Sequence, residues 1–520
     1  MKDGMIKTKR NAQTSTVFLL ETLDPKRVRE MEEKIKNGLV AIRPMYIYNI
    51  ELQTLTDASG APVPVDPMLT LSQQLLGVAK QGNLVIRYIY SSRQAEIVSD
   101  FLLSAALDLS VYEAGNTIFV FTASVDFFPS VLRRFFVEVE LDPPDEEEIG
   151  SLLREVATKA AEKIPPENLQ VTPELVLACK GLTLHDVETA ACESLFEKRK
   201  FSIEKFTEYK INILKNYGLQ YIVPTRGFES VGGYNYLKNY ISRRVISLLR
   251  NPERAEKYGL PLPKGILLYG PPGTGKTWFA KALAKELGLP MISISPADFL
   301  RGIVGETEAR VRQITAIIES LAPVIVFIDE FDQLTLSRSA VMSTDSGVSR
   351  RMTNMLLSWL GDENRKSFIV GATNFLRDID PAFLRPGRLD EIIPVFYPEE
   401  EARLGILTVH TSVVRRIPMD GVDLKEIARM TRLWSGAELE KLVLEASTLA
   451  MLEDKPVTQE HFMKAMSAIE VNVKEREEIV NNMIRELRKS ENVSRTFLDE
   501  VMRTVTEVTG ERVSMALRQL

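Results

Sequence analysis

The chain of 520 residues is poor in metal-binding and redox side chains, with two cysteines, Cys179 and Cys192, and three histidines, His185, His410 and His461. A Cys/His zinc cluster and a disulfide scaffold are thereby excluded. Sparing use of cysteine fits a reducing compartment. No apolar run approaches the roughly 18 residues of a membrane-spanning helix. The basic N-terminus (Lys2, Lys7, Lys9, Arg10) leads only into the short apolar run Val17–Leu20, too brief for a secretory signal. The expectation is a soluble, cytoplasmic protein. Neither sign of charge dominates: 65 Lys and Arg face 71 Asp and Glu, a net of −6. A broad basic footprint for nucleic acid is therefore missing, which leaves room only for a local patch. Low-complexity tracts and short-period repeats are missing too.

What remains is a folded-protein composition, 45% hydrophobic and 26% charged. At about 100–200 residues per domain, the length suits two to four domains. After a basic, helical segment (1–40), strand-like runs at Leu39–Ile50, Leu84–Tyr90, Thr117–Ala123 and Phe135–Leu141 alternate with helical stretches such as Arg93–Leu107. That alternation predicts an α/β layer with a mostly parallel sheet over 41–141. Asp142-Pro143-Pro144-Asp145 stops a strand and caps a helix, and 142–222 reads as helical. A second α/β segment spans 227–397, a second helical one 398–472, and amphipathic helices fill 473–520. The order α/β, helical, α/β, helical is a repeat at the scale of domains.

Residues 265–278 read GILLYGPPGTGKTW. An apolar strand enters Gly270-Pro271-Pro272-Gly273-Thr274-Gly275-Lys276-Thr277, and a helix from Phe279 follows, with Trp278 expected among the nucleotide-binding residues. This is the phosphate-loop pattern G-x4-G-K-[ST] in its strand–loop–helix setting. Glycines let backbone N–H groups converge on phosphate oxygens, and the helix N-terminus adds partial positive charge. Lys276 is expected to bridge β- and γ-phosphates, and the Thr277 hydroxyl to bind Mg²⁺. Residues 322–330, APVIVFIDE, then place Asp329 and Glu330 at the end of a second apolar strand. Asp329 is expected to hold the metal, and Glu330 to act as general base on water.

With these motifs in order, 227–470 resembles an AAA+ ATPase of the clade of valosin-containing protein, proteasomal ATPases and katanin. The resemblance implies a parallel sheet sandwiched by helices with a helical lid. Gly371-Ala372-Thr373-Asn374 is similar to sensor 1, which makes Asn374 an orienting group for the attacking water. Asp380–Asp390 (DPAFLRPGRLD) is similar to the second region of homology, and it implies that Arg385 and Arg388 are arginine fingers for a neighbouring subunit's nucleotide. Val231, Gly232 and Gly233 resemble the segment lying against adenine. His410, alone a structural or surface histidine, falls in a motif (ILTVH) whose histidine lies near base and ribose. Gly436 and Ala437 match the lid-helix start that closes the adenine pocket. Fingers acting in trans imply a homo-oligomeric ring, in that family usually a hexamer.

Three departures stand out. Ile303 occupies a pore-loop position that is aromatic in members that thread peptides. A Ser/Thr-rich stretch, 339–350, replaces the second pore-loop region, and Arg350 and Arg351 face the pore, the subunit interface or solvent. The first half resembles a degraded copy of the same module, ending a strand in Ser91-Ser92 where acidic residues are expected and lacking any G-x4-G-K before residue 200. That layout is similar to an uncharacterised plastid and cyanobacterial AAA group; an unrelated α/β domain is the alternative. Either way this half is expected not to hydrolyse ATP. The tail 473–520 is a partner-binding helix pair or packs on its own lid. Arg133-Arg134, Arg243-Arg244 and Arg415-Arg416 read as solvated edges, and the two cysteines as thiols without a redox role.

The resulting expectation is Mg²⁺-dependent ATP hydrolysis coupled to remodelling of a protein substrate. A nucleotide-gated scaffold that threads nothing is the alternative, and a nucleic-acid-associated motor a weaker one.

Overall fold

The structure, a computed structural model, describes residues 7–8, 17–22, 24–39, 43–64, 66–141, 143–300, 307–334, 346–490, 493, 497–498 and 501. Ile303 and residues 339–345 lie outside these, as does the Arg350 side chain; Arg351 is exposed on the helix Ser346–Leu360. The chain divides into two compact units, Met1–Lys210 and Ile211–Leu520.

The first unit is built on a seven-stranded sheet. Its strands are β1 (Lys7–Thr8), β2 (Val17–Glu21), β3 (Met45–Asn49), β4 (Thr54–Asp57), β5 (Asn83–Ile89), β6 (Ile118–Thr122) and β7 (Val137–Glu140), in the order β1-β7-β2-β6-β5-β3-β4. The inner five run parallel, and β1 and β4 close the edges antiparallel. Parallel strands carry helices on both faces, so they become continuous apolar runs. Val17, Leu19, Leu84, Val85, Ile86, Ile118 and Val120 are accordingly inaccessible to solvent. The sequence places Val17–Glu21 in a leading segment apart from the sheet; the structure corrects this, because β2 sits between β6 and β7 at the centre.

The helix α1 (Pro25–Leu39) follows β2, and the Asp24 carboxylate before it is buried. It accepts backbone N–H bonds from Lys26 at 2.9 Å and, across the unit, from Leu184 at 2.7 Å at the start of α2 (Leu184–Lys198). One carboxylate thus caps two helix N-termini, where orphan donors and partial positive charge favour an anion.

The second unit carries a six-stranded sheet: β8 (Gln220–Ile222), β9 (Gly265–Tyr269), β10 (Met291–Ile294), β11 (Ile325–Ile328), β12 (Phe368–Thr373) and β13 (Glu391–Pro394), ordered β13-β9-β12-β11-β10-β8. Numbering the five parallel strands of each unit from its own first, both sheets read fifth, first, fourth, third, second, with an antiparallel strand beyond the second. The strand β8, which the sequence assigns to the helical segment 142–222, belongs to this second sheet. The helices α3 (Lys276–Leu287), α4 (Glu400–Thr408), α5 (Gly436–Leu452) and α6 (Val473–Lys489) bear on the site. Among the described residues, no helix is long and apolar enough to cross a membrane.

Candidate functional site

The loop between β9 and α3 is shaped by what a Cβ would hit. At Gly270 it would lie 2.0 Å from the Val395 carbonyl oxygen. Gly273 and Gly275 hold φ of +78° and +88°, which residues with a Cβ adopt only under strain. The Thr274 hydroxyl donates to the Pro271 carbonyl at 2.9 Å and closes the turn. Lys276 is buried, and its Nζ donates to the carbonyls of Gly270 (2.8 Å) and Pro271 (2.9 Å) and to Asn374 Oδ1 (2.8 Å). These acceptors are neutral. Burial therefore pulls the ammonium pKa down to about 8, against the opposing pull of Asp329 and Asp332. A phosphate laid on this loop would supply the negative charge that Lys276 lacks.

Sheet order brings the remaining groups alongside. β12 lies between β9 and β11, so the carboxyl ends of three adjacent strands deliver the glycine loop, Asn374 and the pair Asp329-Glu330 to one edge. Ligands of open α/β sheets bind at such an edge. Thr277 Oγ1 donates to Asp329 Oδ2 at 3.4 Å. Glu330 is exposed, accepts from Gln333 Nε2 at 2.7 Å and has φ of +48°, a strained conformation of the kind that collects at functional sites.

The lid closes the other side. A cleft of about 440 Å³ is lined by the loop residues Pro272 to Trp278, by Val231, Gly232, Asp329, Glu330 and Asn374, and by Ile406, His410, Gly436, Ala437 and Glu440. Gly232 is obligatory here, since a Cβ would lie 2.2 Å from the Ile406 nitrogen in α4; at Gly233 it would strike Ala402 at 2.1 Å. Ala437 N–H donates to the Gly273 carbonyl at 3.0 Å, joining the start of α5 to the loop. The Trp278 indole N–H donates to the Ser230 carbonyl at 3.0 Å, and its ring lies 6.4 Å from that of His410. Arg415 Nη1 sits 2.7 Å from His410 Nδ1. A guanidinium only donates, so Nδ1 must accept, and the neutral ring carries its proton on Nε2. Burial lowers the His410 pKa and Arg415 adds to the effect, while Glu440 opposes it. Arg415 also pairs with Glu440, which corrects its reading as a solvated edge.

Not every expected residue meets the cleft. Gly233, Gly270 and Pro271 stand behind its wall, the first as packing surface for α4 and the others as acceptors for Lys276. Arg385 and Arg388 do not line it either. Arg385 is exposed, whereas Arg388 Nη1 donates to the Ala382 carbonyl at 2.6 Å. Ser230, Lys281 and Glu440, not among the expected site residues, also line the cleft, and so do Ile406 and Val409 of the ILTVH motif, which share a helical spacing with His410.

Thr277 and Asp329 present hard oxygen donors side by side, the type and number that a phosphate-bound Mg²⁺ requires of a protein. The donor set therefore fits the ion.

Comparison with known proteins agrees with this geometry. Residues 266–397 match the ATPase family associated with various cellular activities (AAA), and residues 421–464 match the AAA+ lid domain. The chain is 28% identical over 404 residues to an uncharacterized AAA domain-containing protein, ycf46, of Guillardia theta, covering 77% of this chain and 76% of that one. It is 37% identical over 249 residues to the proteasome-activating nucleotidase of Methanococcus maripaludis (47% and 60%), and 34% identical over 344 residues to protein SAV of Sulfolobus acidocaldarius (61% and 43%). The chain thus spans about three-fifths of the nucleotidase and less than half of protein SAV. It carries an AAA ATPase domain with its AAA+ lid, a module whose chemistry is ATP hydrolysis.

Proposed function

We propose that the second unit binds MgATP between the 270–277 loop and the lid and hydrolyses it as one protomer of a homo-oligomeric ring, a hexamer, that remodels or unfolds a protein substrate. The observation that carries this reading is the convergence of Lys276, Thr277, Asp329, Glu330 and Asn374 at three neighbouring strand ends. Lys276 exchanges its carbonyl partners for β- and γ-phosphate oxygens. Glu330 accepts a proton from the water whose oxygen attacks the γ-phosphorus, as the bond to the ADP oxygen breaks. Asn374 orients that water. Thr277 and Asp329 would hold Mg²⁺, which when bound would offset phosphate charge. Trp278, His410, Gly436 and Ala437 enclose the base and ribose. Arg385, exposed on its own subunit, reaches the neighbour's γ-phosphate, and Arg388 steadies the segment from Ala382.

Similarity to a proteasome-activating nucleotidase supports substrate remodelling. The aliphatic Ile303 favours a second reading, a nucleotide-gated scaffold. Ile303→Ala separates the two: a threading motor loses substrate-stimulated hydrolysis, and a scaffold keeps partner binding. The hydrolysis itself is tested by Glu330→Gln. Nucleotide binding persists while kcat falls at least about a hundredfold; turnover at the wild-type rate would remove Glu330 as base. The shared site is tested by mixing Arg385→Ala with Lys276→Ala protein. Each is inactive alone, and mixed rings regain activity; absence of recovery in rings shown to exchange subunits contradicts a finger acting in trans.

A further inference from the structure

The helix α6 follows the lid in sequence, yet its side chains grip both halves of the second unit. On the lid side, Arg476 Nη1 donates to the Leu433 carbonyl at 2.6 Å and to Glu438 Oε2 at 2.7 Å, while Nη2 reaches Glu438 Oε1. Glu438 is the third residue of α5. Its Oε2 accepts from Ser435 N at 2.8 Å and Ser435 Oγ at 2.9 Å, closing the capping box that starts this helix. Ser435 to Ala437 form the lip over the nucleotide loop: a Cβ at Gly273 would meet Ser435 Oγ at 2.9 Å and Ala437 Cβ at 3.2 Å. On the sheet side, the Arg476 guanidinium lies 4.9 Å over the ring of Tyr397, just after β13. One turn after another, Val480, Met483, Ile484 and Leu487 are buried. Glu486 accepts from the Tyr269 hydroxyl at 2.5 Å, and Tyr269 is the last residue before the glycine loop. Beyond α6, Phe497 stacks on Tyr240 at 3.8 Å.

We propose that Arg476 is a positioning residue for the nucleotide, and that α6 is a brace fixing the start of the lid helix α5 against Gly273. This rests on the reading of the cleft as the ATP site. The residues at the lip, Gly436 and Ala437, have no side chain long enough to hold themselves in place, and the loop offers them a single backbone hydrogen bond, from Ala437 to Gly273. The bidentate guanidinium fixes Glu438 in both distance and plane, as an ammonium cannot. Because Glu438 also completes the helix cap, losing Arg476 loosens the lip without touching any group that meets phosphate. The brace therefore sets how long a nucleotide stays, and bears less on how fast its terminal bond breaks.

The test compares Arg476→Met, Arg476→Lys and Phe497→Ala in the full chain, measuring release of fluorescently labelled ADP, KM and kcat for ATP, and melting temperature. Loss of a charge-assisted pair is expected to raise the ADP release rate and KM about tenfold in Arg476→Met, with a smaller fall in kcat. Arg476→Lys, with one charge but no fork, falls between Met and wild type. Phe497→Ala lowers the melting temperature while leaving release near the wild-type rate. An Arg476→Met protein that melts earlier yet releases ADP at the wild-type rate overturns the brace and leaves only a structural pair. Wild-type protein that binds no labelled ADP refutes the cleft reading instead.

Discussion

His410 shows how a neighbouring side chain sets the chemical form of a site residue. The sequence offers only a histidine within a motif; its proton placement follows from Arg415, five residues on, which folds back to Nδ1. With three histidines in the chain, the imidazole signals can be followed individually by NMR. His410 is expected to titrate below the ordinary histidine value near 6.5, and Arg415→Met to shift it upward, because the guanidinium no longer repels the imidazolium. An unchanged titration in that variant would contradict the contact between Arg415 and His410. The grouping of Lys276, Thr277, Asp329 and Glu330 was expected from motif spacing, because backbone geometry dictates their residue types, and that of Asn374 from the resemblance to sensor 1. Glu440 and Arg415 were not: their roles depend on a fold-back between helices that no local pattern encodes.

Among elements, β2 is the instructive case. VFLL looks like a fragment too short to matter, and polar residues surround it in sequence. Only partners on both edges, β6 and β7, make it a central strand. Such pairing is non-local and leaves no mark on a single segment, whereas β9, β11 and β12 announce themselves through the motifs they carry. In the first unit, the buried Asp24 accepts with one carboxylate from the N-termini of two helices. Asp24→Asn removes the charge at two helix N-termini and is expected to lower the stability of the first unit by about 1–3 kcal/mol. Urea unfolding should show an earlier first transition; two superimposable curves would mean that the carboxylate does not hold α1 and α2 together.

On the scale of the whole molecule, two units share one strand order, and only the second follows its first strand with a G-x4-G-K sequence. The duplication was readable as an alternation of α/β and helical segments, though the boundaries were not: β2 and β8 both fell outside the sheets they belong to. The first unit also carries a buried cost. Lys210 is held by burial at a pKa of about 8, below the ordinary lysine value near 10.5. The folded protein therefore releases its proton before the unfolded chain does, and stability rises with pH between these values. Lys210→Met is expected to be more stable than wild type below pH 8, by roughly 3 kcal/mol, with the gap narrowing as pH climbs toward 10. A gap that is constant across this range would contradict the burial assignment.

The proposed function requires a single phosphate site per chain, in the second unit. Isothermal titration of the 520-residue chain with MgADP is expected to show one equivalent bound by wild type and none by Lys276→Ala. Two equivalents, or one that survives Lys276→Ala, would place a working site in the first unit and contradict it.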